Sequence, residues 1–592
     1  LPEARLRLLA TTDLHAQLIP WDLYADRAVR GRGLSRLATL IAEARAGAET
    51  CLLLDNGDFL TGSPLSDFPE AAGDGGEGNL VIAAMNRLGY DAAGIGNHEF
   101  SRGLPYLNRA VAQARFPVVN ANVSGPDGLP LFAPRLFLHP EITDDSGETA
   151  PVCVGITSAL PVQTALWERH HLDGRLTIKA LLATIRSEVR LLRDKGAEVV
   201  VVLAHSGFGD ENRGHRNRVN VARTVAAMPG VDAVIAGHTH DVWPLSPVSA
   251  EREAALVLPG AMGSHLGVID LRLVRRGGRW LVAGHESALR AVQPDDGAPA
   301  AEEPGLAALA APAVARLSQL LGREIGQTTL PLETRFALAR DSAPPRLVAR
   351  AMQDFVERSG LVPGLPVLAA VAPARTGGRG GPENYVQIPP GPLCERDLGA
   401  LVPYDDLVAA VGLRGDDVRR WLEHAANLFP QIAPGARDVP LIRDEVPSFL
   451  FDAVYGLTYR IDLTVPPVPG GKAEPGQGRI RDLRWRGQPV RPGDRFVLAT
   501  SSHRLAGGGA FPLPPAGREV ALPQASLREV LRRALAGAPV TQSALAPPAW
   551  AFVPVPGATA LLDTSPGEDA AAAGFEALGP APGGFQRFRL HL

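Results

Sequence analysis

The sequence predicts a protein of the α/β class, built from at least two domains. Three observations lead there. Over the first 290 residues short apolar runs alternate with amphipathic helical segments, the pattern of layered α/β architecture. The chain of 592 residues is longer than one hydrophobic core serves. Several of the apolar runs end in short segments dense in Asp, Asn, His and Gly, and the carboxyl ends of strands are where ligand sites of α/β sheets collect.

Residues 7–11, 51–54, 116–119, 199–203 and 233–236 read as buried strands. Residues 34–45, 79–88 and 181–195 repeat apolar positions every three and four residues with charges between them, the helix period. These elements form a first domain over residues 1–290. The pattern then loosens into Ala, Pro and Glu, and residues 291–346 read as a linker with a connecting helix at 312–321. A second α/β domain spans 347–592, with helices expected at 346–359 and 415–427 and strands at 457–463 and 495–500. Gly- and Pro-rich stretches at 376–382, 465–478 and 507–515 punctuate it, and the Ala/Pro-rich stretch 544–580 reads as loops. No internal repeat is present.

A composition of 45% hydrophobic and 21% charged residues excludes large-scale disorder. Fifty-nine basic against sixty-three acidic residues leave a formal charge of −4. No global basic field exists, so polynucleotide and anionic membrane surfaces are not expected partners. An anionic substrate must be held locally. Cys51, Cys153 and Cys394 are too few and too far apart for a disulfide framework or a thiolate metal site, and are expected as small buried thiols. No run of eighteen apolar residues occurs, so no membrane span is expected. The chain opens at Leu1 rather than Met, which is compatible with a removed targeting peptide.

Five segments carry the metal-competent side chains: Asp13-Leu-His15, Gly57-Asp58, Gly96-Asn-His-Glu99, Ala204-His205-Ser206 and Gly237-His-Thr-His240. Divalent metals of the Zn and Mn type take imidazole nitrogen and carboxylate or amide oxygen, and a pair held close together needs a bridging carboxylate. Asp58 is the natural bridge. Asp-x-His and His-x-His each project two ligands to one side of extended chain. Of fourteen histidines, five fall in these segments. His139, His170, His171, His215, His265, His285, His424 and His591 have no such context and read as structural or surface residues.

The order of these motifs resembles the calcineurin-like metallophosphoesterase fold in its 5′-nucleotidase branch. The resemblance implies an N-terminal four-layer α/β/β/α domain and a C-terminal α/β substrate-binding domain. It also implies two divalent metal ions, Zn, Mn or similar: one held by Asp13, His15, Asp58 and His240, the other by Asp58, Asn97, His205 and His238. The segments Leu8-Leu-Ala-Thr-Thr-Asp-Leu-His15, Trp21-Asp-Leu-Tyr24, Ala372-Pro-Ala-Arg-Thr-Gly-Gly-Arg-Gly-Gly-Pro382 and Phe451-Asp-Ala-Val-Tyr-Gly-Leu-Thr-Tyr459 narrow it. They are similar to bacterial 2′,3′-cyclic-nucleotide 2′-phosphodiesterase/3′-nucleotidases, over nearly the whole chain.

The implied chemistry is attack on phosphorus by a metal-activated water, with no protein nucleophile. Asn97 and His98 are the catalytic candidates, Asn97 as a ligand and His98 as a hydrogen-bond donor or general acid toward the phosphate or the leaving oxygen. In 5′-nucleotidases an Asp two residues past the Glu often supports this histidine; here the position is Ser101. Arg375 and Arg379 are expected at the substrate phosphate, since guanidinium groups on a flexible loop suit bidentate donation. Tyr404 and His503 fall at the family's two base-stacking positions, the second usually Tyr. The expected partner is a nucleotide and the expected state a monomer. Family habit points to the periplasm, with the cytoplasm as the alternative. A 5′-nucleotidase, a nucleotide-sugar hydrolase and a sulfur-compound hydrolase are the rival enzymes. A non-catalytic nucleotide-binding surface module is the rival of another class, against which the full set of ligands argues.

Overall fold

The computed structural model describes the chain apart from residues 69–77, 210–218, 252, 295–296, 474–475, 515–516 and 568–573 and the side chains of Arg379 and Pro469. His215 lies outside the described residues. Two compact units result, Leu1–Leu320 and Leu321–Leu592.

The first unit is built on β1 (Glu3–Thr11), β2 (Cys51–Asp55), β3 (Ala92–Ala93), β4 (Val199–Ala204) and β5 (Ala233–Ala236). One six-stranded sheet runs Val248–Ala250, Arg279–Ala291, His265–Arg276, β1, β2, β3. The other runs Val242–Trp243, Ala255–Pro259, β5, β4, Val154–Ala159, Arg135–Leu138. Strand alternation decides which face each residue fills. Leu6, Leu8 and Ala10 of β1 share one core with Val199, Val201 and Leu203 of β4, so the sheets stack face to face. Val200, Val202 and Ala204 point the other way, into a second core. There they meet Leu181, Ile185, Val189 and Leu192, the apolar stripe of helix Leu181–Asp194. Burying each such side chain is worth about 1.5–3 kcal/mol. Helix Leu34–Ala46 packs against strand His265–Arg276 of the first sheet, which completes a four-layer α/β/β/α order.

The parallel pairs set the direction of the site. β1 runs parallel to β2 from Arg7↔Cys51 to Thr11↔Asp55, β2 parallel to β3 and β4 parallel to β5. In each sheet the carboxyl ends therefore leave from one rim.

The second unit centres on a five-stranded sheet, in the order Ala453–Tyr455, β6 (Val367–Val371), β8 (Arg495–Ser501), β7 (Val408–Arg414), Glu519–Val520. Helix Ala343–Arg358 buries Leu347, Ala351, Met352 and Val356 at helical spacing. Two four-stranded sheets and two two-stranded ones, Glu324–Thr328 with Gly391–Cys394 and Leu332–Glu333 with Gln387–Ile388, complete the unit among the described residues.

Some expectations give way. Residues 116–119 form only isolated bridges, Val118 with Ala93 and Val119 with Ala133, because Pro117 has no N–H to offer a ladder. The stretch 544–580 is not all loop: it contributes strands Trp550–Phe552, Thr559–Thr564 and Glu576–Pro580. Thr559–Thr564 lies between Val439–Pro440 and Gln586–His591 in one of the four-stranded sheets. The helix expected at 312–321 extends over Pro304–Leu321 with Pro312 inside it. Its mean hydropathy of 1.2 over 18 residues makes it, among the described residues, the one helix apolar and long enough to cross a membrane by length and composition alone. Arg316, Ser318 and Gln319 interrupt its apolar run. The three cysteines are free and half-buried.

Candidate active site

Every sequence-predicted metal ligand follows the carboxyl end of a strand: Asp13 and His15 after β1, Asp58 after β2, Asn97 after β3, His205 after β4, His238 and His240 after β5. Backbone hydrogen bonds lace the loops together, Asp13 N–H to the Gly57 carbonyl and His15 N–H to that of Asp58, both at 2.9 Å. Asn56 Nδ2 donates to the Ala204 carbonyl at 3.1 Å and so ties the two sheets at this rim.

The side chains converge in two groups, Asp13 with His15 and His240, and Asp58 with His205 and His238. In the first, the Nε2 atoms of His15 and His240 face each other at 2.9 Å, and Asp13 Oδ1 lies 3.4 Å from His240 Nε2. In the second, Asp58 Oδ2 is 3.0 Å from His205 Nε2. Asn97 Oδ1 joins that group, 3.2 Å from His205 Nε2 and 2.9 Å from His238 Nδ1. Donors about 2.0–2.2 Å from a shared cation stand about 3 Å from one another, so these spacings and donor types fit divalent metal. The residues are buried, apart from the half-buried His238 and His240.

Electrostatics point the same way. Burial works to raise the Asp13 carboxyl, yet its hydrogen bond to His240 and the nearby imidazole charge of His205 hold it at about 2. Burial likewise opposes ionisation of Asp58, but His205 and His98 hold it well below the usual range. Asp58 in turn outweighs burial at His205 and lifts that imidazole to about 10. Burial, aided by His240, drops His15 to about 4. Burial with His205 drops His238 to about 3. The two carboxylates are thus ionised and His15 and His238 neutral, the forms that bind metal, while Asp58 and Asp13 draw His205 and His240 toward the protonated form, whose proton a bound cation would displace.

The backbone is strained here. Asp13, His15, Asp58, His238 and His240 have φ of 50°, 49°, 57°, 71° and 58°, a left-handed region that costs side-chain-bearing residues about 1–2 kcal/mol each. Glycines allow the loops to close around the ligands. A Cβ on Gly96 would lie 2.3 Å from Asp58 Oδ1, and one on Gly237 would lie 2.1 Å from Thr12 Oγ1 and 2.4 Å from Asp13 Oδ2.

Glu99, Trp167 and Glu168, which had no role in the sequence reading, complete the site together with His98. Glu99 is fully buried and accepts four backbone N–H groups: those of Asp58 and Gly96 on Oε2, both at 2.7 Å, and those of Phe59 and Leu60 on Oε1 at 2.8 and 3.1 Å. It joins two ligand loops, and burial with the Asp58 charge raises its carboxyl to about 7. Its place in the Gly96-Asn-His-Glu99 segment was the available signal. Trp167 stacks on His238, with centroids 5.3 Å apart and planes at 14°. His98 sits beside His15, centroids 5.4 Å apart, and its N–H donates to Asp58 Oδ1 at 2.7 Å. His98 Nδ1 is 3.1 Å from Ser101 Oγ, whose hydroxyl donates to Glu168 Oε1 at 2.8 Å. Glu168, His170 and His171 form a third converging group, although both histidines read from the sequence as structural or surface residues.

In the second unit, β6 runs parallel to β8 (Val367↔Val497) and β7 antiparallel to it (Val408↔Ser501). Arg375 follows the end of β6, His503 follows the end of β8 and Tyr404 precedes the start of β7, so all three leave from one rim of the sheet. Ser502 N–H donates to the Leu407 carbonyl at 2.8 Å and secures two of these segments. Tyr404 is 63% exposed. The His503 ring lies against Gly508, where a Cβ would be 2.1 Å from its Nε2. Arg375 takes φ 48° and accepts the Thr334 hydroxyl at its carbonyl. Arg379 belongs to the 3-10 turn Gly378–Gly380, and its side chain is outside the described residues.

Comparison with known proteins agrees with this geometry. The calcineurin-like phosphoesterase family matches residues 6–242, and the 5′-nucleotidase C-terminal domain family matches residues 324–515. The chain is 33% identical over 601 residues to the 2′,3′-cyclic-nucleotide 2′-phosphodiesterase/3′-nucleotidase of Salmonella typhimurium, covering 96% of this chain and 92% of that one. It is 30% identical over 589 residues to the trifunctional nucleotide phosphoesterase protein of Bacillus subtilis, covering 95% of this chain and 40% of that longer protein. A putative 5′-nucleotidase from Staphylococcus aureus shares the fold, with a TM-score of 0.71, 20% identity and coverage of 93% of this chain and 99% of that one. Fold, motif order and full-length similarity agree: the chain belongs to the 2′,3′-cyclic-nucleotide 2′-phosphodiesterase/3′-nucleotidase family of calcineurin-like metallophosphoesterases.

Proposed function

We propose that this protein hydrolyses nucleoside 2′,3′-cyclic phosphates to 3′-nucleotides, and 3′-nucleotides to nucleoside and phosphate, with two divalent cations of the Zn or Mn type. The observation that carries the reading is the pair of converging donor groups, Asp13/His15/His240 and Asp58/His205/His238. Asp58 would bridge the two cations, and its placement supports this: its Oδ2 lies 3.0 Å from His205 Nε2 and its carbonyl accepts the His15 N–H. Asn97 completes the second ligand set. When bound, such cations lower the pKa of an attacking water and offset charge on the phosphate.

The protein's own residues do the rest. His98, held by its N–H on Asp58, donates to a phosphate oxygen or to the leaving ribose oxygen. Arg375 and Arg379 contact the phosphate and Tyr404 and His503 hold the base, supported by the shared sheet rim from which Arg375, Tyr404 and His503 depart. Periplasmic location is part of the reading, and fractionation of the host cell checks it.

The test is phosphate release and product identity with 2′,3′-cyclic AMP, 3′-AMP, 5′-AMP and bis-p-nitrophenyl phosphate, in Mn²⁺ and in chelator, for wild type and Asp58→Ala. Metal-dependent opening of the cyclic ester to 3′-AMP and then adenosine, abolished in Asp58→Ala, is the expected result. Preference for 5′-AMP, or turnover that survives the chelator, would refute it.

A further inference from the structure

Glu168 is 8% exposed, and a carboxylate withdrawn from water is costly unless its oxygens are bonded. One bond it makes leads into the active site. Ser101 Oγ donates to Glu168 Oε1 at 2.8 Å and lies 3.1 Å from His98 Nδ1. Because the serine hydrogen is committed to the carboxylate, Ser101 Oγ meets the imidazole as an acceptor, and the proton of that contact belongs to His98 Nδ1. His98 Nε2 makes no hydrogen bond among the described residues. A second tether comes from the same turn: His171 Nε2 is 3.0 Å from the Ser101 carbonyl, while the His171 N–H bonds back to the Glu168 carbonyl at 2.9 Å. The segment from Glu168 to His171 therefore grips Ser101 by its side chain and by its backbone.

We propose that Glu168 is a positioning residue for phosphoester hydrolysis: through Ser101 it fixes the ring of His98 with a proton on Nδ1, leaving Nε2 as the nitrogen that serves the ester. The inference rests on the reading of His98 given above. In donation to the leaving ribose oxygen, the P–O bond to that oxygen breaks as water attacks phosphorus, the Nε2 proton of the doubly protonated ring passes to the oxygen to form its O–H, and the neutral Nδ1–H imidazole remains. Glu168 and Ser101 neither gain nor lose a proton in this step. The link joins positions 67 residues apart in the chain.

The experiment measures kcat, KM and bound Mn²⁺ for wild type, Glu168→Ala, Glu168→Gln, Ser101→Ala, His98→Ala and the double variant His98→Ala/Glu168→Ala, with 2′,3′-cyclic AMP. Glu168→Ala and Ser101→Ala should each lower kcat by ~10–100-fold, the scale for partners that orient a functional group, with KM within about twofold. Glu168→Gln retains an oxygen for the Ser101 hydroxyl and should recover most of the loss. In the His98→Ala background, Glu168→Ala should add less than about twofold, since residues that act through one another are not additive. Should Glu168→Ala not fold, Ser101→Ala tests the same link by removing one oxygen. A full additional loss in the His98→Ala background, wild-type kcat in Glu168→Ala and Ser101→Ala, or loss of bound Mn²⁺ in Glu168→Ala would each overturn the proposal. An active wild type with an indifferent Glu168→Ala overturns this inference alone. A wild type inert towards every ester overturns the proposed function and this inference with it.

Discussion

Gly96→Ala isolates how closely the ligand loops must approach. The backbone of Gly96 is not in the left-handed region, so alanine fits the local conformation and the perturbation is steric. The added methyl would stand 2.3 Å from Asp58 Oδ1 and 2.6 Å from His205 Cε1. Ordinary carbon contacts lie at 3.4–4 Å and almost none fall below 3.0 Å, so Asp58 and His205 must each yield by several tenths of an ångström or more. Asp58 Oδ1 has no slack, because it already accepts the His98 N–H at 2.7 Å. The variant should therefore displace two of the proposed metal ligands and His98 together. A misplacement approaching 1 Å costs about 100-fold in rate, equivalent to ~2.7 kcal/mol, and Mn²⁺ affinity should fall by ~10–100-fold. Calorimetric Mn²⁺ titration and kcat at saturating Mn²⁺ read the two effects separately. Circular dichroism should remain that of the wild type. Wild-type Mn²⁺ affinity and kcat in Gly96→Ala would refute the reasoning that these loops are packed to contact.

Two further outcomes are expected. Glu99→Ala leaves four buried amides without an acceptor, at no less than ~1 kcal/mol each. Its melting temperature should drop well below the wild-type value in chelator as well as in Mn²⁺; an unchanged melt would dismiss the structural weight given to this carboxylate. At Asp406, burial raises the carboxyl to about 6 against the pull of Ser501 and Arg504. The folded state then holds its proton more tightly than the unfolded chain, so wild-type stability falls as pH rises from about 4 to about 6. Asp406→Asn should be more stable than wild type by ~1–3 kcal/mol above pH 6 and gain nothing below pH 4, as read by paired thermal melts across that range.

How much of this was legible in the sequence depended on the range of the interactions. The candidate metal ligands stood out because a cation demands particular donor types, and because strands delivering them to one rim leave an apolar run ahead of each donor. The layered core was legible for the same reason, since Val199 to Leu203 can satisfy two faces only between a second sheet and a helix. Glu99 was hidden by its function, as its partners are backbone amides of another loop and amides carry no sequence signature. The contact of Ser101 with Glu168 and the stacking of Trp167 on His238 each span 67 or more residues, and no local period encodes them. The strand Thr559–Thr564 was obscured by its Ala- and Pro-rich neighbours, although its Ala560 and Leu562 are buried.

The left-handed backbone at Asp13, His15, Asp58, His238 and His240 sets catalysis against durability within this unit. Glycine at any of these positions would relieve local strain of the order of 1 kcal/mol and would remove a proposed ligand in the same step. A search for heat-resistant variants that ignored turnover would drift toward such substitutions, as happens wherever a functional site is the least relaxed part of a fold. Selection for phosphoester hydrolysis keeps them out, so the positions that the chemistry most needs are those that stability alone would give up first.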